Sequence, residues 1–254
     1  MRRREFISLV GATAAAWPFA THAQQPGLKR SGVLMSAAQT YPEETFSDGY
    51  GKSIITSRKA TEACRLTPEE FHTAYPKLRA WIQKTLDFNE KNAKPVASMH
   101  FVRLPLYFDP SFLETAKFVA IDRPPMPPLS EMGLSRFAVF EQGDFSGITY
   151  LNRYFIKQTV VTEEAIHFHE LIHVIQWRLL GPEDFLAAYA NGLDEFGYEN
   201  SPLEKMAYDA EAAFKQSSPI FDAEKFVAEQ LGRLPELPTH LCGRTWATAG
   251  SRSA

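Results

Sequence analysis

The sequence predicts an α+β fold, in which a small antiparallel sheet packs against one strongly apolar helix and further C-terminal helices. Residues 163 to 180 are long enough for a helix and would give it hardly any polar face, which indicates a buried helix. Residues 97 to 151 contain short apolar or β-branched runs separated by turn residues, as in a sheet. Residues 183 to 215 return to helical patterns, so helices follow the sheet along the chain.

The overall composition is that of a globular protein. The chain has 254 residues, 44% hydrophobic and 22% charged, which is long enough for one sizeable core. A formal net charge of -3 gives no electrostatic basis for binding nucleic acid, because such binding needs clustered Lys and Arg. The two cysteines, Cys64 and Cys242, could pair in an oxidising compartment but are too few for a cysteine-rich metal site.

The first 23 residues have the layout of an export signal. An arginine cluster at positions 2 to 4 precedes a short apolar stretch that ends in small residues at Ala23. The letters RREFI at positions 3 to 7 resemble a twin-arginine signal. The apolar stretch is too short to span a bilayer, so we expect a periplasmic or secreted protein with no stable membrane insertion after signal removal. The alternative is an N-terminus that is retained as a membrane anchor.

Residues 24 to 60 are polar and turn-rich, and are predicted to be a linker or the remnant of a leader. Together with the signal, the short apolar run at Gly32 to Met35 resembles the start of ABC-transporter periplasmic substrate-binding proteins. The resemblance covers about the first forty residues and implies a solute-binding component as the least favoured function. No alternating pattern of strands and helices follows it, as that fold would need.

Several helices and strands can be placed from local signals. A first helix is predicted from Leu66, because Thr67 supplies an N-cap, Pro68 suits the first helical position, and apolar residues then recur at helical spacing. The predicted strands are Ala97 to Phe108, Ala116 to Ile121, Phe137 to Phe140 and Gly147 to Leu151. A turn at Gln142 to Asp144 suggests a hairpin between the last two.

The C-terminal half is predicted to be mainly helical. The predicted helices are Glu163 to Leu180, ended by Gly181-Pro182, a shorter one near Glu183 to Ala190, and Pro202 to about Lys215, entered through Ser201. Past Leu231 the chain becomes rich in Pro, Gly and Ser. We therefore expect one metal-binding domain over residues 61 to 232 and a flexible tail over residues 233 to 254.

The first of these helices carries the pattern H-E-x-x-H at His169, Glu170 and His173. The two histidines are one turn apart, so both imidazoles can reach one zinc ion from the same face, while Glu170 can reach a zinc-bound water. A shuffled chain of this composition would contain the pattern only about 0.02 times, so chance explains it poorly. The alternative is ordinary core histidines that bond to carbonyls or buried water. His167 lies off this face and is expected to pack or to support the site.

A catalytic zinc site has three protein ligands and leaves the fourth position to water. Residues 147 to 215 resemble the gluzincin class of zinc metallopeptidases, and small zincin-like proteins most, in which a downstream helix supplies a glutamate within E-x-x-A-D. Glu204 begins such a pattern here, with Tyr208 where the Asp is usual. The resemblance implies Glu204 as the third ligand, with Glu211 as the next candidate. Ser201 and Glu204 could instead form a capping box.

The resemblance implies a zincin-like fold and zinc-dependent hydrolysis of a peptide or protein substrate. The residues assigned to catalysis are Glu170, as general base, and Tyr208, with Tyr198 and His167 as alternatives for donating to the developing oxyanion. Tyr208 or Asp209 would have to replace the Asp that supports the first histidine. An extended substrate could add to the sheet edge near Gly147 to Leu151. The competing hypothesis is an inactive zincin that binds zinc or a partner protein without turnover.

Overall fold

A computed structural model describes residues 66 to 216 and 219 to 234. Its helices are α1 (Pro68–Phe88), α2 (Pro110–Thr115), α3 (Ala138–Glu141), α4 (Glu164–Leu180), α5 (Pro182–Phe196), α6 (Pro202–Lys215) and α7 (Ala223–Arg233). Its strands are β1 (Lys94–Pro95), β2 (Lys117–Ile121), β3 (Gly147–Tyr150) and β4 (Arg153–Lys157). The predicted α+β class is confirmed. The predicted export signal, the linker, the Cys64–Cys242 pairing and nearly all of the predicted tail lie outside the described residues.

The four strands form one mixed sheet in the order β1-β2-β4-β3. Neighbouring strands are antiparallel at β1/β2 and β3/β4, but β2 and β4 are parallel, so the prediction of an antiparallel sheet is wrong at this pair. The reason is the length of the connections. A tight turn through Leu151, with φ 59°, forces β3 and β4 to be antiparallel, whereas residues 122 to 146 are long enough to bring β4 in beside β2 in the same direction.

Two predicted strands are helical turns instead. Ala97 to Phe108 forms two short 3₁₀ turns, and Phe137 to Phe140 lies in a 3₁₀ turn followed by α3, so the hairpin predicted at Gln142 to Asp144 is wrong. Apolar runs of this length fit a strand or a buried helical turn equally well. The central strand β4 was missed because it begins and ends with a charged residue. The first of these, Arg153, is buried and donates to the carbonyl of Leu86.

The predictions for the long helices hold better. Helix α1 begins with a capping box, in which Thr67 and Glu70 each accept a hydrogen bond from the other's backbone amide, at 3.2 and 2.8 Å. Helix α4 ends at Gly181, whose φ of 76° suits glycine. Helix α5 is longer than expected, and α7 was not predicted. No helix among the described residues is long and apolar enough to cross a membrane.

Helix α4 lies at the centre of the core. It contacts strand β3 on one side and helices α5, α6 and α7 on the others. Its side chains from His167 to Trp177 are all buried, as the absence of a polar face predicts. The close approach of α6 depends on small residues, because Ala207 and Ala210 are fully covered. This packing brings polar side chains of α4 and α6 together inside the protein.

Candidate metal centre

Three side chains from α4 and α6 meet in a buried cluster. The Nε2 atoms of His169 and His173 are 3.1 Å apart. The carboxylate of Glu204, in the first turn of α6, lies 3.5 Å from each of these nitrogens. All three residues are buried, and their ligand atoms lie within 4.8 Å of one another. The structure therefore brings the two histidines of the motif together with Glu204, in a triad that could hold a metal ion.

The hydrogen-bonding partner of His173 fixes its tautomer. The amide nitrogen of Gln176 donates to the Leu203 carbonyl at 3.0 Å, so the amide oxygen of Gln176 faces His173. Nδ1 of His173 lies 2.8 Å from that oxygen and must donate to it. In the neutral ring, Nε2 then carries the lone pair and points toward His169 and Glu204.

His169 is oriented in the same manner by a carboxylate. Its Nδ1 lies 3.2 Å from Oε2 of Glu211 and donates to it, so in the neutral ring Nε2 again carries the lone pair. Two ring nitrogens with opposed lone pairs at 3.1 Å repel each other unless a cation lies between them. Oε2 of Glu204, buried beside them, has no hydrogen-bond partner. While both rings are neutral, three acceptors thus converge with no donor among them.

The spacing of these acceptors fits one small divalent ion. Ligands at about 2.0 to 2.1 Å in a tetrahedral arrangement lie roughly 3.3 Å apart. The two Nε2 atoms are 3.1 Å apart, and each lies 3.5 Å from an oxygen of Glu204, Oε2 for His169 and Oε1 for His173, so the distances between neighbouring donor atoms bracket that value. The charges also match, because the carboxylates of Glu170 and Glu204 are both buried here and a divalent cation would neutralise them. Two imidazoles and one carboxylate leave a fourth position open.

The electric field at the cluster favours positive charge. Burial by itself lowers the pKa of His169, but the carboxylates of Glu204 and Glu211 beside the ring outweigh it and raise that pKa to about 10. Burial would likewise raise the pKa of Glu204, yet the positive charges of His173 and His169 hold it well below its usual range. A proton can occupy the position in which a metal ion would bind.

Glu204 points into the cluster rather than toward the end of its helix. The side chain of Ser201 makes no capping bond, so the capping-box alternative is wrong. Ser201 is instead buried close to Gly192 of α5. A Cβ atom added to Gly192 would lie 3.1 Å from the Ser201 hydroxyl oxygen. The Tyr189 hydroxyl donates to Oε1 of Glu204 at 2.6 Å, and this oxygen also lies 3.5 Å from Nε2 of His173, while Oε2 lies 3.5 Å from Nε2 of His169. Burial raises the pKa of Tyr189, so that hydroxyl stays protonated.

Glu170 lies beside the triad and contacts strand β3. The Thr149 hydroxyl donates to Oε2 of Glu170 at 2.6 Å. A Cβ atom on residue 147 would overlap the Glu170 carboxylate, so only glycine leaves room for it there. Burial raises the pKa of Glu170, although the charges of His169 and His173 oppose that shift. This environment suits a carboxyl group that both takes up and releases a proton.

The remaining candidates divide into those near the site and those away from it. The Tyr208 ring packs on His169, with centroids 4.6 Å apart, and its pKa is raised to about 12 by burial and by Glu204. Asp209 bonds to Lys205 at the surface, so the expectation that it supports His169 is wrong. Tyr208 contacts the ring face, and the support at Nδ1 comes from Glu211. His167 lies in a separate aromatic environment.

Sequence reasoning missed Gln176 and Tyr189, and it placed Gly147 and Thr149 only on a substrate-binding edge, without their contacts to Glu170. Gln176 had one signal, since it follows His173 by three residues and so lies one turn along the same face. The other three come from β3 and α5, and only the tertiary packing brings them to Glu170 and Glu204. Comparisons of the chain with protein-family models, with curated proteins and with solved structures find no match. The chemistry of the site must therefore be inferred from its own residues.

Proposed function

We propose that the protein is a zinc-dependent metallopeptidase with a zincin-like fold, in which His169, His173 and Glu204 hold the ion. The observation that carries the proposal is the convergence of two imidazole lone pairs and the unpartnered Glu204 oxygen in one buried place. Two nitrogens and one carboxylate oxygen are the donor set typical of a catalytic zinc site with an open position. When bound, zinc polarises a carbonyl oxygen and makes water acidic.

Glu170 is proposed as the general base. It takes a proton from the water that attacks the peptide carbonyl carbon, and it delivers that proton to the leaving nitrogen as the C–N bond breaks. Thr149 holds one carboxylate oxygen of Glu170, so the other is left to handle the proton. Tyr208, whose pKa of about 12 keeps it protonated, is the proposed donor to the developing oxyanion.

The position of β3 supports a peptide as the substrate. This strand forms one edge of the sheet and carries both groups that contact Glu170. An extended chain could pair with such an edge. The Thr149 carbonyl already accepts a hydrogen bond from Trp177 at 3.2 Å, so pairing would have to occur nearer to Gly147. Because residues 1 to 23 have the layout of an export signal, we propose that the enzyme acts outside the cytoplasm.

The test is turnover of a peptide mixture by zinc-loaded protein, with new termini identified by mass spectrometry. Glu170→Gln should keep one zinc per chain and lose about 10²- to 10⁴-fold in rate, because the base is removed while the ligands remain. The matched control is Glu69→Gln, the same change at an exposed position of α1, which should leave the rate unchanged.

The competing hypothesis is a zinc-binding protein without turnover. It predicts equal, background rates for the wild type and Glu170→Gln while both retain zinc. That result would overturn the peptidase proposal and leave the metal site intact. Loss of zinc in Glu170→Gln would contradict the assignment of Glu170 as a residue that does not ligate the ion.

A further inference from the structure

A second feature of the site is a cavity beside the metal centre. It has a volume of about 140 Å³ and lies between β3, α5 and the segment that connects β2 to β3. Its walls are largely aromatic and aliphatic. They include Met126, Leu134, Phe145, Phe185, Ala190 and Leu193.

The cavity opens onto the residues assigned to catalysis. Glu170, His173 and Glu204 line one side of it, so a group inside would lie next to the proposed reaction centre. No Lys or Arg occurs among the described residues that line the cavity. An acidic side chain would find no partner there, and a lysine side chain would have to lose its hydration shell. The lining therefore favours an uncharged, apolar group.

The volume defines the size of that group. A protein cavity of about 150 Å³ lined by Leu, Ile and Phe, known from an unrelated lysozyme variant, stays dry and binds benzene. A cavity of about 140 Å³ thus has room for one phenyl ring or one branched aliphatic side chain. It is too small for a folded segment or a long acyl chain, since pockets for drug-sized ligands occupy roughly 300 to 1,000 Å³.

We propose that this cavity, here named the side-chain pocket, binds one large apolar side chain of a peptide substrate, of the size of Phe, Leu or Met, on a residue that adjoins the bond to be cleaved. The inference rests on the proposed peptidase function for its position in the reaction. Its physical basis, apolar lining and volume, is independent of turnover. The pocket proposal and the peptidase proposal can therefore fail separately.

Binding tests the pocket without catalysis. N-acetyl amides of Phe, Leu, Ala and Glu are titrated into the zinc-loaded and the zinc-free protein, with chemical-shift changes or heat as the signal. The Phe and Leu compounds should bind at least about tenfold more tightly than the Ala compound, because filling an apolar pocket distinguishes side chains by about 10- to 200-fold. Equal affinity for all four compounds would overturn the proposal.

A cavity-filling variant tests the location. Ala190→Leu places a larger side chain in the pocket from α5 and should abolish the preference for Phe over Ala. Ala80→Leu, the same change at an exposed position of α1, should keep it. Leu193→Ala gives a second test if Ala190→Leu fails to fold, since it enlarges the pocket and should admit a Trp side chain. Circular dichroism checks the folding of each variant.

Turnover then distinguishes the two proposals. In peptides varied on either side of the cleaved bond, kcat/KM should be at least about tenfold higher for Phe or Leu than for Ala at one of these positions. Turnover with no such preference would support the peptidase and overturn the side-chain pocket. Selective binding of the Phe compound, lost in Ala190→Leu, with no turnover of any peptide would support the pocket and overturn the peptidase.

Discussion

Helix α4 contains two histidine environments that differ in chemistry but not in burial. His167 is 0% exposed, His169 8% and His173 6%. Around His167 every ring atom that can form a hydrogen bond has a matching partner. Nε2 donates to the Val161 carbonyl at 2.8 Å, and Nδ1 accepts from the Tyr154 hydroxyl at 2.5 Å.

The environment of His169 and His173 differs in the balance of donors and acceptors. Each Nδ1 donates outward, to Glu211 and to Gln176, so in the neutral rings each Nε2 presents a lone pair inward. The Glu204 carboxylate lies 3.5 Å from each of these nitrogens and adds a further acceptor. The pKa values respond in opposite directions. Burial lowers the pKa of His167 to about 4, whereas Glu204 and Glu211 overcome burial and raise that of His169 to about 10.

The comparison shows which property marks a ligand. A buried histidine with one donor and one acceptor partner is complete as a neutral residue and needs no ion. A pair of buried histidines whose inner nitrogens both accept is incomplete without a cation. Burial and residue type are shared by all three histidines, so the direction of the hydrogen bonds distinguishes them.

The largest effect should come from removing a member of the triad. His173→Ala or Glu204→Ala should weaken zinc binding by more than about 100-fold, because loss of a supporting partner alone costs about 10- to 100-fold. His167→Ala, the matched change on the same helix, should leave the affinity within about twofold. Competition with a chromophoric chelator measures all three. Equal losses in His167→Ala and His173→Ala would remove the distinction between the two environments.

The partner of His173 should have the next largest effect. Gln176→Leu removes the acceptor that fixes the His173 tautomer and should weaken zinc binding by about 10- to 100-fold. Gln83→Leu, the same change on the exposed face of α1, is the control and should bind zinc as the wild type does. Unchanged affinity in Gln176→Leu would mean that the ring is held by its packing alone.

His167 should matter for stability and not for the metal. His167→Phe leaves the buried Tyr154 hydroxyl without its acceptor and should lower the free energy of unfolding by about 1 to 3 kcal/mol. Urea denaturation measures this. Adding Tyr154→Phe should recover part of the loss, because both partners are then apolar. A change in zinc affinity in His167→Phe would contradict the separation of the two environments.

The smallest effect is expected at the residue that positions Glu170. Thr149→Val removes the hydroxyl that bonds to the carboxylate while it keeps the shape of the side chain. The rate constant kcat should fall about tenfold, equivalent to about 1.4 kcal/mol, with KM and zinc content unchanged. Thr73→Val on the exposed side of α1 controls for the substitution. A change in KM alone would indicate that Thr149 contacts the substrate instead.

Local patterns predicted the parts of the fold that depend on local interactions. The N-cap at Thr67, the end of α4 at Gly181 and the length of α4 all follow from residues near one another in sequence. The parallel pairing of β2 with β4 does not, because it depends on how residues 122 to 146 cross the sheet. Helix α7 was missed for a related reason, since only Ala223 and Val227 of its residues are buried.

The candidate site likewise has residues that local spacing predicts and residues whose placement depends on tertiary packing. His169, Glu170 and His173 could be identified because one helical turn relates them. Glu204 was identified from the E-x-x-A pattern on helix α6. Its orientation into the cluster depends on the hydrogen bond from Tyr189 and on the absence of a capping bond from the Ser201 side chain. Glu211 was considered as a ligand, and its contact with Nδ1 of His169 makes it a supporting residue instead. The direction of a side chain depends on tertiary packing, which sequence spacing does not contain.

Anomalous X-ray diffraction at the zinc absorption edge, from crystals of protein loaded with one equivalent of zinc, tests the central proposal most directly. We expect one anomalous peak between Nε2 of His169, Nε2 of His173 and the Glu204 carboxylate, within about 2.0 to 2.2 Å of each nitrogen and of one carboxylate oxygen. Glu204→Ala crystals prepared in the same way should lack it. A peak elsewhere in the molecule, or none in the wild type, would contradict the assignment of these three residues as a zinc site.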